Sequence, residues 1–237
     1  MLLNQQKEDQ LKFEQIKSME IFKNITKNEF LEMTKLPAFQ ERCYQKDETI
    51  LLAGDTTQEI GLLLSGNAHI ESNDLWGNKS ILSDIIPGEI FAEVYAFLGT
   101  EPLRVDVVAK KESKVLFLHI GHLLQDSYLD QSWYVKLNHN LLALLAKKNL
   151  ILSDRIFYTS SKSIRGRLLS YFSAQVMKKQ SREFDIPFNR QQLADYLGVN
   201  RSALSHELGK MQEEQLIEFK RNHFVIKELD VYEMEEM

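Results

Sequence analysis

NRQQLADYLGVNRSALSHELGKMQEEQLI, residues 189–217, reads as two short helices joined by a tight glycine turn, the pattern of a helix-turn-helix. Asn189 can cap the first helix through its side-chain oxygen, and Gln192 stands at the third helical position, where a capping box places Glu or Gln. Leu193, Ala194 and Leu197 form its apolar face, Gly198 supplies the turn, and Asn200 caps the second helix. Along that helix Leu204, Leu208 and Met211 recur at helical spacing. Arg201, Ser202, Ser205 and His206 are thereby left on the outer, N-terminal side, where a recognition helix meets the edges of base pairs. Asn189, Gln191 and Asn200 complete the DNA-facing set on this reading.

Downstream, residues 216–225 (LIEFKRNHFV) read as two short strands around Lys220, Arg221, Asn222 and His223. A hairpin wing with Lys220 and Arg221 at its tip would touch phosphate.

The net charge of −5 argues against nucleic acid until it is divided. Residues 155–227 hold 13 Lys plus Arg against 7 Asp plus Glu, whereas residues 1–154 hold 16 against 22. Phosphate contacts need local positive charge whatever the whole-chain sum, so a basic DNA-binding half and an acidic sensory half fit the division. At 237 residues and 43% apolar the chain is long enough for about two domains. Its opening, MLLNQQKEDQ, lacks the apolar core of a signal peptide, and the leucines at 141–146 fall far short of the ~20 residues that span a bilayer, so a cytoplasmic protein is expected. The single cysteine, Cys43, can form no internal disulfide, cannot supply an iron-sulfur cluster, and is expected to be a buried small apolar residue.

Residues 131–158 contain no Pro or Gly and carry a long apolar series that predicts one helix with two apolar faces. Leu137, Leu141, Leu144 and Ile151, interrupted by Lys148, follow a coiled-coil spacing and are the expected seam with a partner subunit. Ser160, Ser161, Lys162 and Ser163 then mark a hinge before a helix over residues 164–177.

Between residues 39 and 120 the texture turns to short β-rich runs, at 49–53, 60–64, 68–71, 80–86, 103–108 and 114–119. Gly54-Asp55, Ser65-Gly66, Trp76-Gly77-Asn78 and Pro87-Gly88 punctuate them, and one helical interruption falls at about 92–98. Strands at that spacing suggest a small barrel or roll.

The whole resembles the Crp/Fnr family of bacterial transcription regulators: a β-roll with LLAGDTTQEIGLLLSGNAHI and PGEIFAEVYAFLG, a long helix, and a C-terminal winged helix-turn-helix, over residues 21–226. The resemblance implies an α+β chain with a jelly-roll-like β-roll sensor at 1–130, a dimerisation helix at 131–159 and a winged helix-turn-helix domain at 160–237. It further implies a homodimer on a palindromic operator in double-stranded DNA, with RNA polymerase as a further partner.

The sensor departs from the family pattern. Cyclic-nucleotide-binding members hold the phosphate with a Gly-Glu and an Arg-Ser pair, for which this chain has Ala92-Glu93 and Leu103-Arg104; the base-contacting Thr-Ser pair of the long helix is Leu152-Ser153. Glu93, Leu103, Arg104, Leu152 and Ser153 are therefore the candidate effector residues, and cyclic AMP is not the expected effector. On a strand a one-residue displacement would turn Arg104 to the opposite face. His69, His119, His122 and His139 lack the companions that a haem or metal site needs, and no metal or cofactor is expected. The recognition helix keeps the family's leading Arg as Arg201 but has Ser202 and His206 at the next two reading positions, so its operator should differ. Glu207 stands where an apolar residue is usual. No phosphate loop, metal cluster or catalytic constellation points to an enzyme. A ligand-sensing module without transcriptional output and an effector-independent regulator remain open alternatives.

Overall fold

The structure, a computed structural model, describes residues 13–73, 79–123 and 128–227. The expected turn at Trp76-Gly77-Asn78, the opening decapeptide and the acidic tail lie outside the described residues. Two compact units divide the chain, Met1–Leu145 and Ala146–Met237.

The first unit opens with a 3-10 turn, Glu20–Phe22, and helix α1, Lys27–Met33, which Thr26 and Glu29 close with a reciprocal capping box. Two four-stranded sheets follow. One has the order β1-β8-β3-β6, from strands β1 (Phe39–Tyr44), β3 (Glu59–Ser65), β6 (Ile90–Phe91) and β8 (Ser113–His119). The other has the order β2-β7-β4-β5, from β2 (Thr49–Leu51), β4 (Ala68–Asn73), β5 (Lys79–Ile85) and β7 (Asp106–Ala109). Every described pairing is antiparallel, and the two sheets make the expected roll.

Alternation divides the first sheet between two cores. Ile60, Leu62, Leu64, Leu116 and Leu118 face the N-terminal helices, whereas Leu63, Val115 and Phe117 pack with Ala68, Ile85, Val107 and Ala109 of the second sheet. Burial of such side chains stabilises by roughly 1.5 to 3 kcal/mol each.

Three expectations change here. β1 carries no apolar run and β6 is only two residues long, so neither was legible. Cys43 is exposed rather than buried, because β1 is an edge strand and Cys43 lies on its outer face, opposite Lys114. The strand expected from residue 103 begins only at Asp106, so Leu103 and Arg104 precede β7 and strand alternation does not set their faces.

Helix α2 (Glu93–Leu98) interrupts the roll, α3 (Ile120–Leu123) follows it, and the long helix α4 spans Ser132–Thr159. The start of α4 belongs to the first core, with Trp133, Leu137 and Leu141 buried and Leu144 partly so. Asn140 donates to the carbonyl oxygens of Ile21 (3.0 Å) and Lys23 (2.8 Å), and Lys136 and Ser132 both donate to the Glu29 carboxylate of α1. The expected seam is thereby corrected at Leu137 and Leu141, whereas Leu144 is partly buried and Ile151 exposed. Leu137 and Leu141 pack inside their own unit and present nothing to a partner. The exposed apolar residues of α4 are Val135, Leu142, Leu150, Ile151, Leu152, Ile156 and Phe157. The helix does have two apolar faces, and the first core covers one of them.

The second unit contains α5 (Ile164–Lys179), α6 (Arg190–Leu197), α7 (Arg201–Glu213) and a three-stranded sheet in the order β10-β11-β9. Its strands are β9 (Glu183–Asp185), β10 (Ile217–Lys220) and β11 (His223–Ile226). Ser163 ends the predicted hinge as the cap of α5, accepting from the backbone of Gly166. Tyr171, Phe172, Leu193, Leu197, Leu204, Leu208, Phe184 and Phe224 make the core.

Candidate nucleic-acid interface and effector region

The caps read from sequence set the recognition helix. Asn189 accepts from the backbone N–H of Gln192 at 2.9 Å, and the Gln192 side chain accepts from Asn189 N–H at 2.8 Å. Gly198 adopts φ 64°, a left-handed conformation open to glycine at little cost, and turns the chain into α7. The Asn200 side chain then accepts from Ser202 (2.8 Å) and Ala203 (3.3 Å). With Leu204, Leu208 and Met211 buried, Arg201, Ser202, Ser205 and His206 are exposed together on one side of α7. Capping occupies the side-chain oxygens of Asn189 and Asn200, and Gln191 donates to Asp195 at 2.8 Å.

The Glu207 anomaly has a partner that the sequence did not show. Arg165 of α5 donates to Glu207 at 2.6 Å and bridges Glu214 with its other two nitrogens at 2.7 and 2.8 Å. Hydrogen bonds donated to Glu214 and then Glu207 push the guanidinium pKa further up, and the same contact holds the Glu214 carboxyl below the usual range. A charged residue therefore takes the usual apolar place because a second helix brings the opposite charge to it.

Two more arginines stabilise the turn. Arg155 donates to the carbonyls of Asp195 (3.1 Å) and Tyr196 (3.2 Å), and Arg167 to those of Leu197 (2.9 Å), Gly198 (3.0 Å) and Ser161 (2.8 Å). Cations at a helix C-terminus satisfy its open carbonyls and its dipole. Spacing gave no warning of the contacts to residues 195–198, since they bring together residues about 30 to 40 apart.

The wing is present and carries a third strand, β9, which sequence reasoning missed. Lys220 and Arg221 are exposed at its tip, with Arg221 at φ 59°, and Asn222 steadies the turn by donating to Ile186 at 3.1 Å. His223 lies between Asp185 (3.0 Å) and Glu183 (3.2 Å), so the tip is basic and the flank acidic. Arg190 stacks over Phe219 and Phe224, and burial lowers its pKa.

In the effector region Ala92 stands at φ 61°, the left-handed conformation that glycine adopts freely and alanine at a cost of roughly 1 kcal/mol. It delivers Glu93, which is buried, at the first position of α2. Leu103 is buried, its backbone paired with Asp55 and Gly54, while Arg104 is exposed. Leu152 and Ser153 are exposed on α4, in the other compact unit. Inside the roll the Phe91 ring lies so close over Gly61 that any Cβ there would collide with it, and Phe91 meets Phe117 edge to face. His69 is buried and bonded to Glu71 at 3.0 Å; the His119 and His122 rings meet at 4.5 Å. Among the described residues no three His, Cys, Asp or Glu side chains converge on a metal position, and no helix is long and apolar enough to cross a membrane.

Comparison with known proteins falls on the same two regions. Residues 41–125 match the family description "Cyclic nucleotide-binding domain", and residues 166–235 match "Crp-like helix-turn-helix domain". The chain is 26% identical over 183 residues to the Cyclic AMP receptor protein of Thermus thermophilus, an overlap of 77% of this chain and 81% of that one. Among solved structures, the OCPA-complexed form of CprK superposes with a TM-score of 0.58 at 14% identity, covering 87% of this chain and 93% of its own. A cyclic nucleotide-binding domain from Methylobacillus flagellatus gives 0.52 at 21% identity, covering 62% and 83%. At these identities the two structures bear on the fold alone.

Proposed function

The chain belongs to the Crp/Fnr family of transcription regulators, and on that premise we propose that it acts as a homodimer on a two-fold symmetric DNA operator. The observation that carries this reading is the exposed quartet Arg201, Ser202, Ser205 and His206 on a helix capped at its start by Asn200. Such a helix presents its first turns to the major groove, where an Arg pairs with two acceptors of guanine. Lys220 and Arg221 on the wing contact phosphate, and RNA polymerase is the further partner through which operator occupancy alters transcription. The protein works in the cytoplasm.

Dimerisation uses the outward face of α4. Val135, Leu142, Asn149 and Ile156 recur every seven residues, and Leu145 and Leu152 fall three after Leu142 and Asn149. This is a heptad seam, with a polar Asn at one core position, the device that favours a single register at some cost in stability.

The effector differs from cyclic AMP. A cyclic phosphate beside buried Leu103 keeps its charge without a partner, and Arg104 is exposed. A second reading, regulation without any small molecule, is favoured by the Phe91 ring packed over Gly61 inside the roll.

Selection of duplexes from a random pool by the full chain, with and without cell extract, tests the proposal. A palindromic consensus is expected. Uniform, salt-sensitive binding without a consensus would leave a sensing module without transcriptional output. Equal enrichment in both arms would favour the effector-independent reading.

A further inference from the structure

Alternation on the first sheet leaves one part of its outer face open. Phe39, Glu41, Leu64, Lys114 and Leu116 point away from the roll interior and form the floor of a cavity of about 390 Å³. Its walls are the segment bearing Gln15 and Ile16, helix α1 with Phe30 and Leu31, and the turn after α1 with Thr34 and Lys35. All of these belong to the first compact unit, and the effector candidates Glu93, Leu103 and Arg104 do not line it.

Its chemistry is divided. Ile16, Phe30, Leu31, Phe39, Leu64 and Leu116 make an apolar trough, and the charges sit at the edge: Lys35 and Lys114 against Glu41. Lys114 and Glu41 are paired at 3.0 Å, whereas Lys35 has no ion-pair partner among the described residues. One positive charge is left over. The volume lies within the range of small-ligand sites, which are apolar with a few placed polar groups.

We propose that this cavity is a second ligand site, for an amphipathic monocarboxylate whose acyl or aryl chain fills the trough and whose carboxylate rests on Lys35, with Lys114 next to it. A cation is repelled by the surplus charge, and a dianion exceeds it. The site is also placed to be felt elsewhere in its unit. Its wall, α1, is fastened by Glu29 to Lys136 and Ser132 at the start of the long helix.

The test uses the full chain and sodium decanoate, decanol and decyltrimethylammonium as probes in calorimetry. Decanoate should bind saturably, and the other two at least about fivefold more weakly, the factor that one exposed charge contact contributes. Lys35→Glu, an exposed position, should weaken decanoate about fivefold, Lys35→Arg should preserve it, and Leu31→Trp should reduce it by filling the trough. Cys43 is the only cysteine and lies opposite Lys114, so a thiol reagent reports location: bound decanoate should slow its modification. No saturable heat at 1 mM decanoate, equal affinity for the three probes, or unchanged binding by Lys35→Glu would overturn the proposal. So would binding that emerges only after removal of residues 1–12, which would assign the cavity to the chain's own N-terminus.

Discussion

Arg165 Nε lies 2.6 Å from a Glu207 carboxylate oxygen, joining α5 to the recognition helix at a position where an apolar contact is usual. The same guanidinium bridges Glu214 with two further bonds. Arg165→Ala would leave Glu207, which is largely covered, without its partner, and should lower stability of the second unit by about 1 to 2 kcal/mol after allowance for solvent screening. Glu207→Leu removes a charge together with its desolvation and should change stability by less than about 0.5 kcal/mol. Urea unfolding of the two variants separates the cases; equal losses would show that Glu207 is not the residue that needs Arg165.

Glu29 predicts an acid limb in stability. Burial alone would push its carboxyl up, but hydrogen bonds from Lys136, Ser132 and Thr26 outweigh that and hold it at about 2 against an ordinary 4.5. The folded value lies below the unfolded one, so the contribution is fully present above pH 4.5 and disappears as pH falls from there towards 2. Its size is at most on the order of 3 kcal/mol. Glu29→Gln should be destabilised at pH 7 and show a flatter slope between those values. An unchanged slope in denaturation midpoints would refute the assignment.

Adjacent leucines of α4 should fail in different ways. Leu141 is 3% exposed and packs in its own unit, so Leu141→Ala should cost roughly 2 to 5 kcal/mol of stability. Leu142 is 67% exposed, and Leu142→Asp should leave the fold intact but separate protomers, because the charge would be desolvated in the seam. Sedimentation equilibrium combined with thermal unfolding distinguishes them; a dimeric Leu142→Asp would remove this face as the interface.

Arg201 and Lys220 should differ in what they read. Loss of Arg201 is expected to relax preference at one base pair per half-site by about 1 to 3 kcal/mol, whereas Lys220→Ala weakens all sequences alike and lowers the salt slope by about one. Binding profiles across a library of operator variants provide the comparison, and identical profiles for wild type and Arg201→Ala would contradict base reading.

Cyclic AMP should give no saturable heat at millimolar concentration and should not tighten operator binding, since an effector acts only through different affinities for two states. Micromolar binding abolished by Arg104→Ala would show that this guanidinium, exposed in the structure, turns inward to meet the phosphate.

The sequence by itself determined whatever depends on near neighbours. Asn189, Gln192, Gly198 and Asn200 act within three or four residues, so the two helices and their turn were legible with their caps. Short β-rich runs set off by turn residues likewise marked β3, β4, β5 and β8, because strand and turn chemistry are both written locally. Tertiary structure alone decided the rest. β1 and β9 are short strands at sheet edges, with too few apolar residues to announce themselves. Both faces of α4 are apolar, and periodicity alone does not say which one a domain covers; of the expected seam, Leu137 and Leu141 are covered and Ile151 is exposed. Docking of Trp133, Leu137 and Leu141 on the roll answers that, as Arg165 answers for Glu207: each depends on a partner distant in sequence, and the pattern along the chain carries no distance across it.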